Sequence, residues 1–212
     1  MPPQERTART RHLIIQAAAA SFDHRGFAMT GLNEIAQLAG VSKGALYFHF
    51  GSKEQLAEAV MAESRDQLRR IVLASRTPET SAVQYLVDLS HGLAEQLDRD
   101  VVFRAGLRLT DEPGLDKERS PSPYPGWTKL VGRQLARAAA AQELSSHAVL
   151  HQATTLLVSA TAGIEILSRQ DRGWLSPQVT AGVWQALLPA LMAPDHWERI
   201  RTTRRNEPPL PL

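Results

Sequence analysis

The sequence predicts an all-α protein, with a three-helix N-terminal head containing a helix-turn-helix and a C-terminal helical bundle. Three observations predict it. Apolar residues recur three and four apart in one segment after another, and nothing reads as strand. Glycines follow several of these segments and Ser or Pro opens others, which is the punctuation of helices. Between Thr30 and Lys53, two short helices are joined by a Gly-containing turn.

The first helix is expected over Thr7–His24, with Ile14, Ala17, Ala18 and Phe22 on one face and Gly26 after its end. Arg6, Arg9 and Arg11 precede or open it, so a flexible basic arm that grips phosphates or enters the minor groove is expected there. A frayed terminus is the alternative.

In the next helix Ile35, Ala36 and Ala39 form a short apolar stripe, and Gly40 stands where a left-handed residue would end it. Val41 pins the turn to the core. Ser42 is placed to cap the following helix by accepting a backbone N–H. There Leu46 and Phe50 lie four apart and face inward. Lys43, Gly44, Tyr47 and Phe48 point elsewhere, with His49 near the boundary.

Two helices about a tight Gly turn are the helix-turn-helix signature, the second helix being the reader. Gly44 and Ala45 are small enough to let that helix sink into a major groove. Lys43 can reach a guanine edge or a phosphate, Tyr47 and His49 suit phosphate oxygens, and Phe48 suits a thymine methyl. Taken singly, each aromatic has a plain explanation as core, and each polar residue as solvated surface. The ordered combination does not.

The fourth helix opens with a Ser-x-x-Gln capping box at Ser52 and Gln55 and is expected to run to Ser75. Lys53 in its first turn opposes the helix dipole, a penalty that a nearby phosphate would remove. Thr77-Pro78 then restarts a helix carrying Tyr85, Leu86, Leu89, Leu93 and Leu97, and a short apolar helix is expected over Val101–Leu109. Residues 111–126 are rich in Pro and Gly and form the principal loop. Helices are expected again over Trp127–Gln142, Ser146–Arg169 and Pro177–Leu191, with a basic, Pro-rich and partly disordered tail over 196–212.

Composition sets limits. With 212 residues, 43% of them hydrophobic, the chain can bury a real core, and with no Cys it has no disulfide or thiolate chemistry. The N-terminal segment is charged and no apolar run is long enough to span a bilayer, so a soluble cytoplasmic protein is expected. The net charge of +2 sits in residues 1–54, which hold six basic against four acidic side chains, while the remainder balances. That asymmetry points modestly to a polyanionic partner. Enzyme motifs are lacking: there is no nucleophile elbow, phosphate loop, dinucleotide fingerprint or HExxH. His147 and His151 stand four apart but without an evident third metal ligand, so no metal and no cofactor is expected.

The run GVSKGALYFHFGSKEQL resembles the DNA-binding signature of the TetR family, and the resemblance is dense from about Arg11 to Leu56. One departure is Gly31, three residues before Glu34, where the family often carries a capping Ser or Thr; this leaves Thr30 as the alternative cap. The DNA-binding candidates are therefore Thr30, Ser42, Lys43, Gly44, Ala45, Tyr47, Phe48, His49 and Lys53.

A narrower resemblance, to the γ-butyrolactone-receptor branch of actinomycetes, rests on VVFRAGLRLTDEPG and PSPYPGWTKL. Members show an Arg-Ala-Gly-Leu-Arg-Leu-like run, here Arg104–Leu109, a Pro-rich loop, and a Trp lining the ligand pocket, here Trp127. On the Ser146–Arg169 helix, Thr154, Val158, Thr161 and Glu165 share a face. Trp127, Thr161 and Val158 are the ligand candidates, with Trp127 as a flat apolar wall and the Thr161 hydroxyl orienting a lactone oxygen.

The resemblance implies a dimer whose last two helices pair with their mates. Gly182, Trp184, Leu188 and Leu191 are expected on that interface, with Glu165 pairing across it. The expected division is 1–52 for the helix-turn-helix domain, 53–195 for ligand binding and dimerisation, and 196–212 for the tail. The implied function is a repressor that binds a pseudo-palindromic operator and is released by a small lactone or butenolide. The alternative is a regulator with no small-molecule effector or with a different hydrophobic ligand.

Overall fold

The computed structural model describes residues 3–75, 81–115, 121–192 and 194–203. Its elements are α1 (Pro3–Arg25), α2 (Leu32–Leu38), α3 (Lys43–His49), α4 (Lys53–Ala74), α5 (Ala82–Arg99), α6 (Val101–Leu109), α7 (Tyr124–Ala140), α8 (Leu150–Ser168), a 3₁₀ turn (Arg172–Leu175), α9 (Pro177–Leu191) and α10 (Pro194–Trp197). Among the described residues there is no strand. The chain forms two compact units: Met1–Arg69 with Arg99–Ser122, and Arg70–Asp98 with Pro123–Leu212.

The first unit is built on the apolar stripes of its helices. Ile14, Ala18 and Phe22 of α1 meet Ile35 of α2, Leu46 of α3, Leu56 and Val60 of α4, and Val102 and Leu109 of α6 in one buried cluster. Each large side chain removed from water here stabilises by about 1.5–3 kcal/mol. Gly26, with φ +79°, ends α1 in the left-handed conformation, its N–H bonded to the Phe22 carbonyl.

Several contacts tie α6 into this unit. Asp100 caps it, accepting from the Val102 and Phe103 N–H groups at 2.8 and 3.1 Å. Arg104 Nε pairs with Asp23 Oδ2 at 3.1 Å, and Arg108 donates to the Asp23 carbonyl. A Cβ on Gly106 would fall inside the Ser64 side chain and 3.3 Å from the Val60 carbonyl oxygen, so α6 lies against α4 where only glycine fits. The Arg-Ala-Gly-Leu-Arg-Leu run is thus the seam of this unit.

The second unit packs Tyr85, Leu86 and Leu89 of α5, Val131 and Leu135 of α7, Leu157 of α8, and Trp184 and Leu188 of α9 into a separate cluster. Trp197 and Ile200 lie against it. The Glu143 carboxylate accepts from the Ala82 and Val83 N–H groups at the start of α5.

Four boundaries differ from the sequence expectation. Residues 3–11 are helical, so Arg6, Arg9 and Arg11 belong to α1 and not to a flexible arm. The α2 cap is Gly31, with no side-chain cap; Thr30 does not serve. The Pro-rich loop ends early because Pro125 and Gly126 are absorbed into α7, which starts at Tyr124. The α8 helix begins only at Leu150, so His147 lies outside it and does not share a helical face with His151. The Thr77-Pro78 restart and the tail beyond 203 lie outside the described residues.

Candidate nucleic-acid interface and ligand site

The reading helix is held from below and leaves its upper face bare. Gly40, at φ +65°, turns the chain out of α2, and the Ser42 Oγ then accepts the Ala45 N–H at 3.1 Å to start α3. Leu46 and Phe50 are buried beneath it. Arg11 of α1 stands over the Phe50 ring at 5.3 Å, closing the helix from one end.

What faces outward is Ser42, Lys43, Gly44, Tyr47 at 45 % exposure and Phe48 at 80 %. Ala45 and His49 are half-buried beside them. Lys43 Nζ lies 5.8 Å from the Tyr47 ring centroid, and Phe48 meets the His49 ring edge-on at 5.3 Å. A Cβ on Gly44 would meet nothing nearer than the Ser42 Oγ at 4.0 Å, so the fold itself does not demand glycine there. Small residues flanked by a cation and exposed aromatics make a surface able to approach base edges and phosphates closely.

Two of the sequence candidates are placed differently. Thr30 is 3 % exposed, and its hydroxyl donates to the Gly26 carbonyl at 2.8 Å, so it braces the α1–α2 turn and offers nothing outward. Lys53 Nζ donates to the carbonyls of Phe27, Ala28 and Thr30 at 2.9, 3.4 and 3.1 Å and lies 4.4 Å from the Phe27 ring centroid. Three ammonium donors thus meet three backbone acceptors, which offsets the dipole penalty without any phosphate. Nothing in spacing or periodicity signals a lysine aimed at backbone carbonyls twenty-odd residues earlier.

The Ser52 Oγ accepts the Gln55 N–H at 3.2 Å, while Gln55 Oε1 reaches back to the Gly51 N–H at 3.0 Å. Glu54 in this first turn has its carboxyl held below the ordinary carboxylate range, first by its own backbone N–H and then by the Ser52 hydroxyl.

In the second unit, α7 and α8 bring Trp127 and Thr161 together. Trp127 Nε1 donates to Thr161 Oγ1 at 2.8 Å, and that hydroxyl donates to the Leu157 carbonyl at 2.9 Å. Both residues and Val158 are half-buried, with Trp127 and Val158 against the apolar cluster.

One turn along the same seam, the Tyr124 hydroxyl donates to Glu165 Oε2 at 3.0 Å, and Arg169 Nε pairs with Glu165 Oε1 at 2.9 Å. Glu165, 6 % exposed, is therefore paired within its own chain and is not reserved for a partner. Trp184, Leu188 and Leu191 are buried in the unit's own core, so of the four α9 residues expected at an interface only Gly182 is exposed. Helical spacing marks a buried stripe without saying which molecule buries it.

Among the described residues no helix is long and apolar enough to cross a membrane. The family model for bacterial regulatory proteins of the tetR family matches residues 14–60. The A-factor receptor protein of Streptomyces griseus is 33% identical over 196 residues, covering 92% of this chain and 68% of that protein. A solved γ-butyrolactone receptor described as ArpA-like superposes with a TM-score of 0.78 at 31% identity, over 92% of this chain and 94% of its own. CprB from Streptomyces coelicolor, solved in complex with its biological operator sequence, gives a TM-score of 0.77 at 30% identity over 92% and 94%. From head to C-terminal helices, then, this chain belongs to the tetR family of bacterial regulatory proteins, with γ-butyrolactone receptors among its relatives.

Proposed function

We propose that the protein is a cytoplasmic, dimeric transcriptional repressor whose grip on a pseudo-palindromic operator is released by a small lactone or butenolide. The observation that carries this is the extent of the likeness. Similarity to the A-factor receptor protein covers 92% of the chain, so it includes the second unit as well as the head. No enzymatic role is proposed.

The reading face is Lys43, Gly44, Ala45, Tyr47 and Phe48, with Ser42 and His49 at its ends. Two such faces related by a two-fold axis read half-sites about 34–36 Å apart in simple helix-turn-helix dimers. The pairing surface comes from apolar residues that the second unit leaves exposed: Leu156, Ile166 and Leu167 on α8, together with Gly182, Ala186 and Pro189 on α9.

Coupling is a population shift. The boundary between the two units, after Arg69, falls inside the unbroken α4 helix. An effector that binds best with α4 in one position therefore biases the head that α4 carries, at a coupling on the order of 1–3 kcal/mol.

A second reading is a regulator without a small-molecule effector. The Trp127–Thr161 bond favours it, because both polar groups already have partners inside the chain. Selecting bound duplexes from random DNA and footprinting the winners tests the DNA-binding function. Two protected half-sites related by a dyad are expected, and a protein that enriches no sequence refutes it. Thermal-shift titration with butyrolactones and butenolides separates the two readings: a rise in melting temperature supports an effector, and none across the series supports its absence.

A further inference from the structure

Side chains hold the backbone of the α1–α2 turn. Gly26, at φ +79°, leaves α1, and α2 opens at Leu32. Lys53 takes the carbonyls of Phe27, Ala28 and Thr30, and the Thr30 hydroxyl takes that of Gly26. The Phe27 N–H has a more distant partner: it donates to Glu112 Oε1 at 3.2 Å, across 85 residues of sequence. Phe27 is buried and Glu112 half-buried, so this charge-assisted bond is partly screened from water.

Local structure carries Glu112 to that spot. After α6 ends at Leu109, the N–H groups of Thr110, Asp111 and Glu112 bond to the carbonyls three residues earlier, adding one tight turn. Arg104, Arg108 and Glu112 recur every four residues and all reach the end of α1. Arg104 Nε pairs with Asp23 Oδ2, Arg108 donates to the Asp23 carbonyl, and Glu112 accepts from Phe27. Charge follows the backbone: the two cations meet the carbonyl end of α1, and the anion meets the first N–H beyond Gly26. A Cβ on Gly26 would stand 3.3 Å from Glu112 Oε1, so the approach is close.

This grip bears on reading because α2 and α3 have seven residues each. Helices that short are marginal alone, so their pose comes from what anchors them. Buried Leu46 and Phe50 anchor the far end, while Ile35 and the α1–α2 turn anchor the near one.

We propose that Glu112 is a positioning residue for operator recognition: its bond to the Phe27 N–H sets how α2 and α3 leave α1, and so the pose of the reading face. Glu112 acts through the turn and makes no DNA contact. The inference rests on the DNA-binding reading and asks nothing of an effector. Bare electrostatics gives the opposite sign, because an acidic side chain repels phosphates and its removal alone would tighten binding.

The test compares wild type with Glu112→Gln, Glu112→Ala and Glu112→Asp by fluorescence anisotropy, well below the melting temperature of each. The DNA is the operator selected with the wild-type protein and a random duplex, each at several salt concentrations. Gln keeps the acceptor oxygen and removes the charge, Ala removes both, and Asp withdraws the carboxyl by one methylene. Glu112→Ala should bind the operator about tenfold more weakly and the random duplex as wild type does, with the salt slope unchanged. Glu112→Gln should stay within about twofold of wild type. Glu112→Asp carries the same expectation as Ala should Glu112→Ala fail to fold. Operator binding by Ala and Asp as tight as wild type, or tighter, overturns the proposal. Equal weakening by Gln and Ala also overturns it, since the charge and not the bond would then matter. Wild type that selects no operator removes the DNA-binding reading, and this role with it.

Discussion

The Trp127 indole N–H donates to the Thr161 hydroxyl at 2.8 Å, joining α7 to α8 through two of the three residues that the sequence singles out for ligand contact. Thr161→Val removes the acceptor and leaves a half-buried donor unpaired. The expected loss is about 1 kcal/mol, or a fall in melting temperature of roughly 2–4 °C for a chain of this size. The Trp127 indole resonance in a ¹H–¹⁵N spectrum should move at the same time. An unmoved resonance would mean that the bond is not populated in solution.

Gly44 separates the needs of the fold from those of the interface. It sits inside α3 with open space around it, so Gly44→Ala should raise stability by up to about 1 kcal/mol through helix propensity. The same methyl stands between α3 and the groove, and operator affinity should fall. A variant both more stable and equally tight on DNA would remove Gly44 from the interface.

Lys43 and Lys53 should respond differently to salt. Lys43→Ala leaves the fold intact, weakens operator binding and, where the lost contact is a phosphate, lowers the slope of log affinity against log salt by about one. Lys53→Met unties the carbonyls of Phe27, Ala28 and Thr30 and should cost about 1–2 kcal/mol of stability, with the salt slope unchanged. Lowered slope with unaltered melting in Lys53→Met would reassign it as a phosphate contact.

At the start of α4, Ser52→Ala should cost about 1 kcal/mol at neutral pH by loss of the cap. It should also let the Glu54 carboxyl rise toward its ordinary range. A depressed carboxyl stabilises the fold above its unfolded pKa of about 4.3 and loses that contribution as pH falls through the lower folded value. The melting gap between wild type and Ser52→Ala should therefore narrow below about pH 4.3. A gap constant down to pH 2 would show that Ser52 does not act on Glu54.

The helix-turn-helix was legible because each of its determinants is local. Gly40 turns, Ser42 caps and Leu46 anchors, all within seven residues. The start of α1 was not legible: inward-facing residues begin at Ile14, and the stretch before it has helix formers but no buried stripe. Glu165 was misread because its partner Tyr124, which the sequence assigns to the Pro-rich loop, opens α7 41 residues away. Trp184 was misread because a helical stripe looks the same whether it faces its own core or a second subunit.

The most direct test measures the affinity of the purified protein for its selected operator while a γ-butyrolactone is titrated in. The account predicts that affinity falls at least fivefold at saturating lactone, the lower end of typical allosteric coupling. Lactone that binds tightly and leaves operator affinity unchanged would contradict it.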